Sequence, residues 1–322
     1  MEEILSRRTV FVYMGKIVKK FLLENRRGKM KYVKAWLFLS ICLLLVSCSA
    51  QKSEVKTSKP AETDMEHTVV ATTLAVAEIM DKLEVDLAGV PTTQYTLPER
   101  YKDVVEVGNP MSPDMEIIKS LKPTEVLSVT TLEYDLSEKF ESMKIPASFV
   151  NLESVDNMIQ SINDLGAKYD RAENAKTLVD SIESKVKEIK DETKDKEQPV
   201  VLILLGVPGA SYLVATENSY VGNLVEVMGG KNAVEGQAAE YISANTEFLQ
   251  QTNPDIILRL SHGVPDQVAK EFDKEFAEND IWKHFNAVKN GKVYDLEEPI
   301  FATTANLNIT QALDQLMEMM YE

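Results

Sequence analysis

The sequence predicts an α/β protein of two lobes, each built on a mainly parallel sheet, joined by one long helix. Three observations carry this. Short β-rich runs alternate with helical runs from Thr68 onward, the pattern of a parallel sheet covered by helices. The alternation is interrupted by Ala172, Ala175, Val179, Ile182, Val186 and Ile189, whose steps of three and four mark one face of a single long helix. A similar unit also recurs on either side of that helix. Ser112-Pro113-Asp114-Met115-Glu116 is followed by Pro123 and a Val/Leu run, and Ser243-Ala244-Asn245-Thr246-Glu247 by Pro254 and an Ile/Leu run. In each unit the Ser can cap a helix, the Glu stands near its positive end and the Pro stops it.

The N-terminal segment has its own logic. Lys31 and Lys34 precede an apolar run from Ala35 to Val46 that ends at Leu45-Val46-Ser47-Cys48, the layout of a secretory signal. The run is shorter than the roughly 20 residues a bilayer span needs. The Cys after Leu-x-Ser resembles a bacterial lipobox, which marks Cys48 for lipidation and places the protein on the extracytoplasmic face of the membrane. Residues 1–29 read as an upstream extension, with translation starting at Met30. Residues 30–47 then form the signal peptide. Residues 48–66, polar and charged, form a lipidated tether that cannot bury a core.

Cleavage before Cys48 leaves 275 residues with 25 basic and 48 acidic side chains, a net charge of −23 against −16 for the whole chain. Such a surface repels nucleic acid, because contact with phosphates needs cationic side chains. One Cys remains after cleavage, so no disulfide framework can form.

From His67 the elements follow in order. Thr68 to Ala71 is a short strand, and Thr73 caps a helix through Leu83. A helix from Ser112 to Leu121 leads into the strand Glu125 to Val129. Ser137 to Met143 is helical and Ala147 to Asn151 extended. These make an N-terminal lobe over residues 67–170. The connecting helix occupies 171–196 and, at about 1.5 Å per residue, spans roughly the width of a domain. The C-terminal lobe, 197–322, opens with Pro199 to Leu205, an unbroken apolar run that reads as a strand buried on both faces. A helix from Tyr220 to Met228 closes at Gly229-Gly230. Asp255 to Leu260 and Lys292 to Leu296 are strands, and Ile309 to Tyr321 is a final helix.

Two α/β lobes joined by one helix resemble the class of binding proteins for siderophores, cobalamin and haem, the class III periplasmic-binding-protein fold. Longer motifs narrow the resemblance. Gly108-Asn109-Pro110-Met111-Ser112-Pro113-Asp114, Ser128-Val129-Thr130-Thr131-Leu132-Glu133-Tyr134-Asp135-Leu136, Arg259-Leu260-Ser261-His262-Gly263 and Asn279-Asp280-Ile281-Trp282-Lys283-His284-Phe285 are similar to the haem-receptor lipoproteins of the iron-regulated surface determinant system of Gram-positive bacteria. The similarity runs from about Thr68 to the C-terminus. It implies haem as the transported ligand, iron held by Met111 and His262, delivery to an ABC permease and its ATPase, and haem-donating cell-wall surface proteins as partners. In the wider class a Glu at a helix start on each lobe pairs with Arg on the importer, and Glu116 and Glu247 match those positions.

The residues fit that implication on chemical grounds. Met111 follows Pro110 and precedes a helix start, while His262 follows a strand. Both therefore stand at element ends, where open α/β sheets place their ligands. Thioether and neutral imidazole suit haem iron. The propionates need fixed donors in so acidic a protein; the Thr72-Thr73 helix start and the Thr92-Thr93 loop are candidates, and Tyr134 is a candidate to stack on or hydrogen-bond to the porphyrin. His67 reads as solvated, and His284 as part of a surface turn with apolar anchors. Leu313, Leu316, Met317 and Met320 fall at helical steps, so this Met-rich stretch reads as core packing. No hydrolase, Walker A or dinucleotide motif occurs, which argues against catalysis. The alternative is a ferric-siderophore receptor of the same fold, which needs cationic side chains at the cleft, and the strand ends offer few beyond Arg259. A haem-degrading enzyme would need an open iron position.

Overall fold

The structure, a computed structural model, describes residues 67–209, 212–243 and 246–322. The upstream extension, signal peptide, Cys48 and tether lie outside the described residues. The first sheet begins at β1 (Val69–Ala71), which is fully buried. Helix α1 (Leu74–Lys82) follows, with the Thr73 hydroxyl accepting the Val76 N–H at 3.4 Å. Next come β2 (Gly89–Val90), β3 (Val105–Glu106) and a hairpin of β4 (Gly108–Asn109) and β5 (Ser112–Pro113). Helix α2 (Met115–Ser120), β6 (Glu125–Val129), α3 (Glu133–Met143) and β7 (Ala147–Val150) complete the lobe.

The strand order is β3-β2-β1-β6-β7, and every neighbouring pair is parallel. The chain winds outward from β1 in one direction and from β6 in the other. The carboxyl ends of β1 and β6 thus form a topological switch point, the crevice where such sheets hold ligands.

Two helices follow, α4 (Val155–Lys168) and α5 (Ala172–Thr193). The second sheet holds β8 (Val200–Gly206), β9 (Leu213–Ala215), β10 (Lys231–Asn232), β11 (Tyr241–Ser243), β12 (Ile256–Ser261) and β13 (Val293–Leu296). Its order is β11-β9-β8-β12-β13 with β10 beside β8, parallel except at β9. Helices α6 (Tyr220–Val227), α7 (Thr246–Thr252), α8 (Pro265–Glu278), α9 (Asn286–Lys289) and α10 (Ile309–Tyr321) accompany it. Strand β8 is buried over Val201–Gly206 and flanked on both edges, as its unbroken apolar run requires.

The long helix matches its sequence pattern: Arg171 and Lys194 cap α5, and Ala175, Val179, Ile182 and Ile189 are buried. At about 1.5 Å per residue it measures about 33 Å. It does more than span a gap. One apolar cluster runs without a break through Val69 and Leu127 of the first lobe, Val179 and Ile182 of α5, and Val201 and Leu258 of the second. Helix α4 lies close against α5, because a Cβ on Gly166 would stand 2.4 Å from that of Ala175.

Several expectations change. Helix α2 starts at Met115, not Ser112. Its cap is Asp114, whose carboxylate accepts the N–H groups of Glu116 and Ile117, each at 3.0 Å. Ser112 is unavailable because it is spent in the β4–β5 hairpin. Helix α3 starts at Glu133, four residues before Ser137. Helices α4 and α8 have no counterpart in the sequence reading. The recurring unit survives in the backbone: Lys122 (φ 50°) and Asn253 (φ 42°) each adopt the left-handed conformation directly before the proline that follows α2 and α7.

Candidate functional site

Met111 occupies the two-residue turn, Pro110-Met111, of the β4–β5 hairpin. Asn109 fixes this turn by accepting the Met111 N–H on its side-chain oxygen at 2.9 Å. The Met111 side chain is 65% exposed. The thioether is therefore accessible to a ligand on that turn.

His262 directly follows β12, at the carboxyl end of the second sheet. Its side chain is 43% exposed and its Nδ1 lies 2.7 Å from Glu298 Oε1. A carboxylate only accepts, so Nδ1 carries the hydrogen, and in the neutral imidazole Nε2 then keeps its lone pair. Partners of this kind hold metal-ligating imidazoles in one tautomer and orientation. The Glu298 side chain is only 7% exposed, and its other oxygen accepts the hydroxyl of Tyr95 at 2.5 Å. Burial and the Glu298 carboxylate push the Tyr95 phenol up to about 12, so it remains a donor at neutral pH. Tyr95 belongs to the first lobe and Glu298 to the second, so the chain Tyr95–Glu298–His262 crosses between them.

Sequence reasoning missed Tyr95 and Glu298. Glu298 stands two residues beyond β13, an element end of the kind that singles out His262 and therefore a usable signal. Tyr95 lies two residues past the candidate Thr93 with nothing in its spacing to mark it.

The Thr candidates resolve individually. Thr72 is fully buried and its hydroxyl donates to the Leu127 carbonyl at 3.3 Å, so that hydroxyl is unavailable to a ligand. The Thr73 hydroxyl accepts the Val76 N–H as the cap of α1. The exposed Thr92 hydroxyl donates to Glu106 at 2.7 Å, and Thr93 accepts the Tyr95 N–H at 3.1 Å. These two order the loop that carries Tyr95. Tyr134 is 94% exposed at the start of α3, just beyond β6.

Away from the sheet ends, Arg259 is buried. It pairs with Asp295 and Asp273 and lies 5.1 Å from the Phe276 ring centre and 5.5 Å from that of Phe272. It is a structural cation and not a lining one. His67 is exposed, with its ring edge against Tyr169. His284 is exposed between buried Trp282 and Phe285. Leu313, Leu316 and Met320 are buried in the core, with Met317 packed against it. Glu116 is exposed in the first turn of α2. Glu247 falls in α7, and its side chain lies outside the described residues.

A model of the family described as periplasmic binding protein matches residues 69–300. The chain belongs to that family. Among curated proteins it is 45% identical over 295 residues to the high-affinity heme uptake system protein IsdE of Staphylococcus aureus, covering 91% of this chain and 99% of that one. Among solved structures, an ABC transporter substrate-binding protein from Listeria monocytogenes is 51% identical with a TM-score of 0.76, covering 80% of this chain and 99% of that one. A crystal structure of S. aureus IsdE complexed with heme is 47% identical with a TM-score of 0.77, covering 80% and 100%. The family accounts for the two sheets, the switch point and the connecting helix as one inherited arrangement.

Proposed function

We propose that this chain is a haem receptor: it captures haem between its lobes and delivers it to an ABC importer for iron acquisition. The observation that carries the reading is His262, held through Nδ1 by a buried carboxylate with Nε2 left free to ligate, in a chain 45% identical to a heme uptake protein. Met111, on the turn of the first lobe's hairpin, supplies the second axial ligand. The pair grips iron from both sides and leaves no open position for oxygen, which favours carriage over chemistry. The first-turn N–H groups of α1 receive the propionates. Cys48 anchors the receptor, Glu116 and Glu247 meet the importer's permease, and cell-wall surface proteins supply the haem. The siderophore reading loses its main support, since Arg259 is committed to Asp273 and Asp295.

The test is a visible spectrum of the haem-loaded protein beside Met111→Ala and His262→Ala. A stoichiometric low-spin spectrum that both substitutions alter supports the axial pair. Binding untouched by either substitution rejects it.

A further inference from the structure

We infer that Tyr95 is a positioning residue for the iron ligand, acting from the opposite lobe through Glu298. This rests on the proposed axial role of His262. The geometry is a relay of two short hydrogen bonds, Tyr95 OH to Glu298 Oε2 at 2.5 Å and His262 Nδ1 to Glu298 Oε1 at 2.7 Å. The carboxylate between them is nearly excluded from water, at 7% exposed. In that setting it has little solvent to share its charge with, so its two protein partners divide it.

Two consequences follow with different signatures. The first is mechanical. The Tyr95 bond ties the Thr92–Leu97 loop of the first lobe to the strand-end loop that holds the ligand of the second. It is charge-assisted, the stronger class of hydrogen bond. Its loss loosens the lobes on either side of the cargo and speeds haem departure by about tenfold, the factor such a bond typically carries. The second is electronic. A carboxylate accepting from Nδ1 draws that proton toward itself and makes Nε2 a stronger donor to ferric iron. Tyr95 competes for the same carboxylate and moderates the effect. Removing the phenol hydroxyl leaves Glu298 a stronger acceptor and lowers the reduction potential. Neutralising Glu298 withdraws the anionic partner and raises it. The phenol and the carboxylate therefore shift the iron in opposite directions, which looser packing alone does not do.

The experiment uses the full-length chain, detergent-solubilised and loaded with haem, as wild type, Tyr95→Phe, Glu298→Gln and His262→Ala. Haem loss is followed by transfer to excess apomyoglobin, the iron potential by spectroelectrochemistry, and folding by circular dichroism. The expected result is transfer about tenfold faster in Tyr95→Phe with a lowered potential, and a raised potential in Glu298→Gln. Unchanged transfer and potential in Tyr95→Phe, with His262→Ala still altering the spectrum, overturns the inference and leaves the haem-receptor reading standing. A wild-type spectrum indifferent to His262→Ala overturns both. If Glu298→Gln folds poorly, Tyr95→Phe decides alone, since its phenol is only half-buried and the ring is kept.

Discussion

Asn223, on α6 of the second lobe, reaches to α4 and accepts the main-chain N–H of Val155 on its side-chain oxygen at 2.9 Å. Val155 is the first residue of α4, where an N–H has no partner within the helix. Ser154 caps the same helix by accepting from Asn157, so one helix start is satisfied both by its own cap and by the second lobe. Asn223→Ala leaves that N–H unpaired at a partly buried site. The expected cost is about 1–3 kcal/mol of stability, read as a lowered thermal midpoint, with the haem spectrum unchanged.

Gly166 gives a prediction that runs against helix propensity. Gly166 lies in the last turn of α4, and replacing a helical Gly by Ala favours a helix by up to about 1 kcal/mol when nothing is near. Here the added Cβ would meet Ala175 at 2.4 Å, and overpacking of a tight crossing costs about 1–3 kcal/mol. Packing wins, so Gly166→Ala lowers the midpoint of chemical unfolding.

Glu125 predicts an acid-sensitive tie. Burial pushes its carboxyl up, but hydrogen bonds from Lys168, Ser148 and Tyr169 together outweigh that and hold it below the usual 4.5. A carboxylate depressed in the folded state contributes stability above its unfolded value and loses it as pH falls through the folded one. Wild-type stability therefore declines as pH drops below about 4.5. Glu125→Gln is less stable at pH 7 and shows a flatter acid limb in denaturant titrations across pH.

Met111 separates function from folding more cleanly than His262. Met111 is exposed, so Met111→Ala should stay within about 0.5 kcal/mol of wild-type stability, whereas His262→Ala takes a partner from the buried Glu298 carboxylate and should cost about 1–3 kcal/mol, each variant losing its contribution to the iron spectrum. Thermal unfolding beside the visible spectrum checks this. A large loss of stability in Met111→Ala would assign that side chain to packing.

The two docking glutamates lead to an uptake prediction. Glu116→Arg combined with Glu247→Arg reverses charge at both proposed contacts, so haem binding is preserved while uptake into cells falls by about tenfold or more. Normal uptake by the double variant rejects the docking role.

Much of the fold is legible because burial writes itself as periodicity. The run Val200 to Leu205 and the stripe of α5 can be placed from spacing alone. Helix α4 carries the same signal in Val155, Met158, Ile162 and Leu165 and is readable in the same way. Helix α8 is fainter, since it buries Val268 and Phe272 along fourteen residues. The start of α2 is ambiguous because Ser112 and Asp114 are both good caps, and only the hairpin pairing of Ser112 decides between them. At the site, Met111 and His262 stand out by motif and element end. Tyr95 does not, because its role depends on a partner 203 positions away, and no local pattern encodes a hydrogen bond between lobes.

The unbroken apolar cluster through both sheets and the long helix has a consequence for dissection of the molecule. A cut in the loop after α5 would leave each fragment with an oily face that its other half normally covers. Neither piece would be a soluble half-receptor. Mixed together, the two should find one another and restore a single whole, and this makes the chain a natural candidate for a split reporter whose reassembly is read by the colour of its cargo.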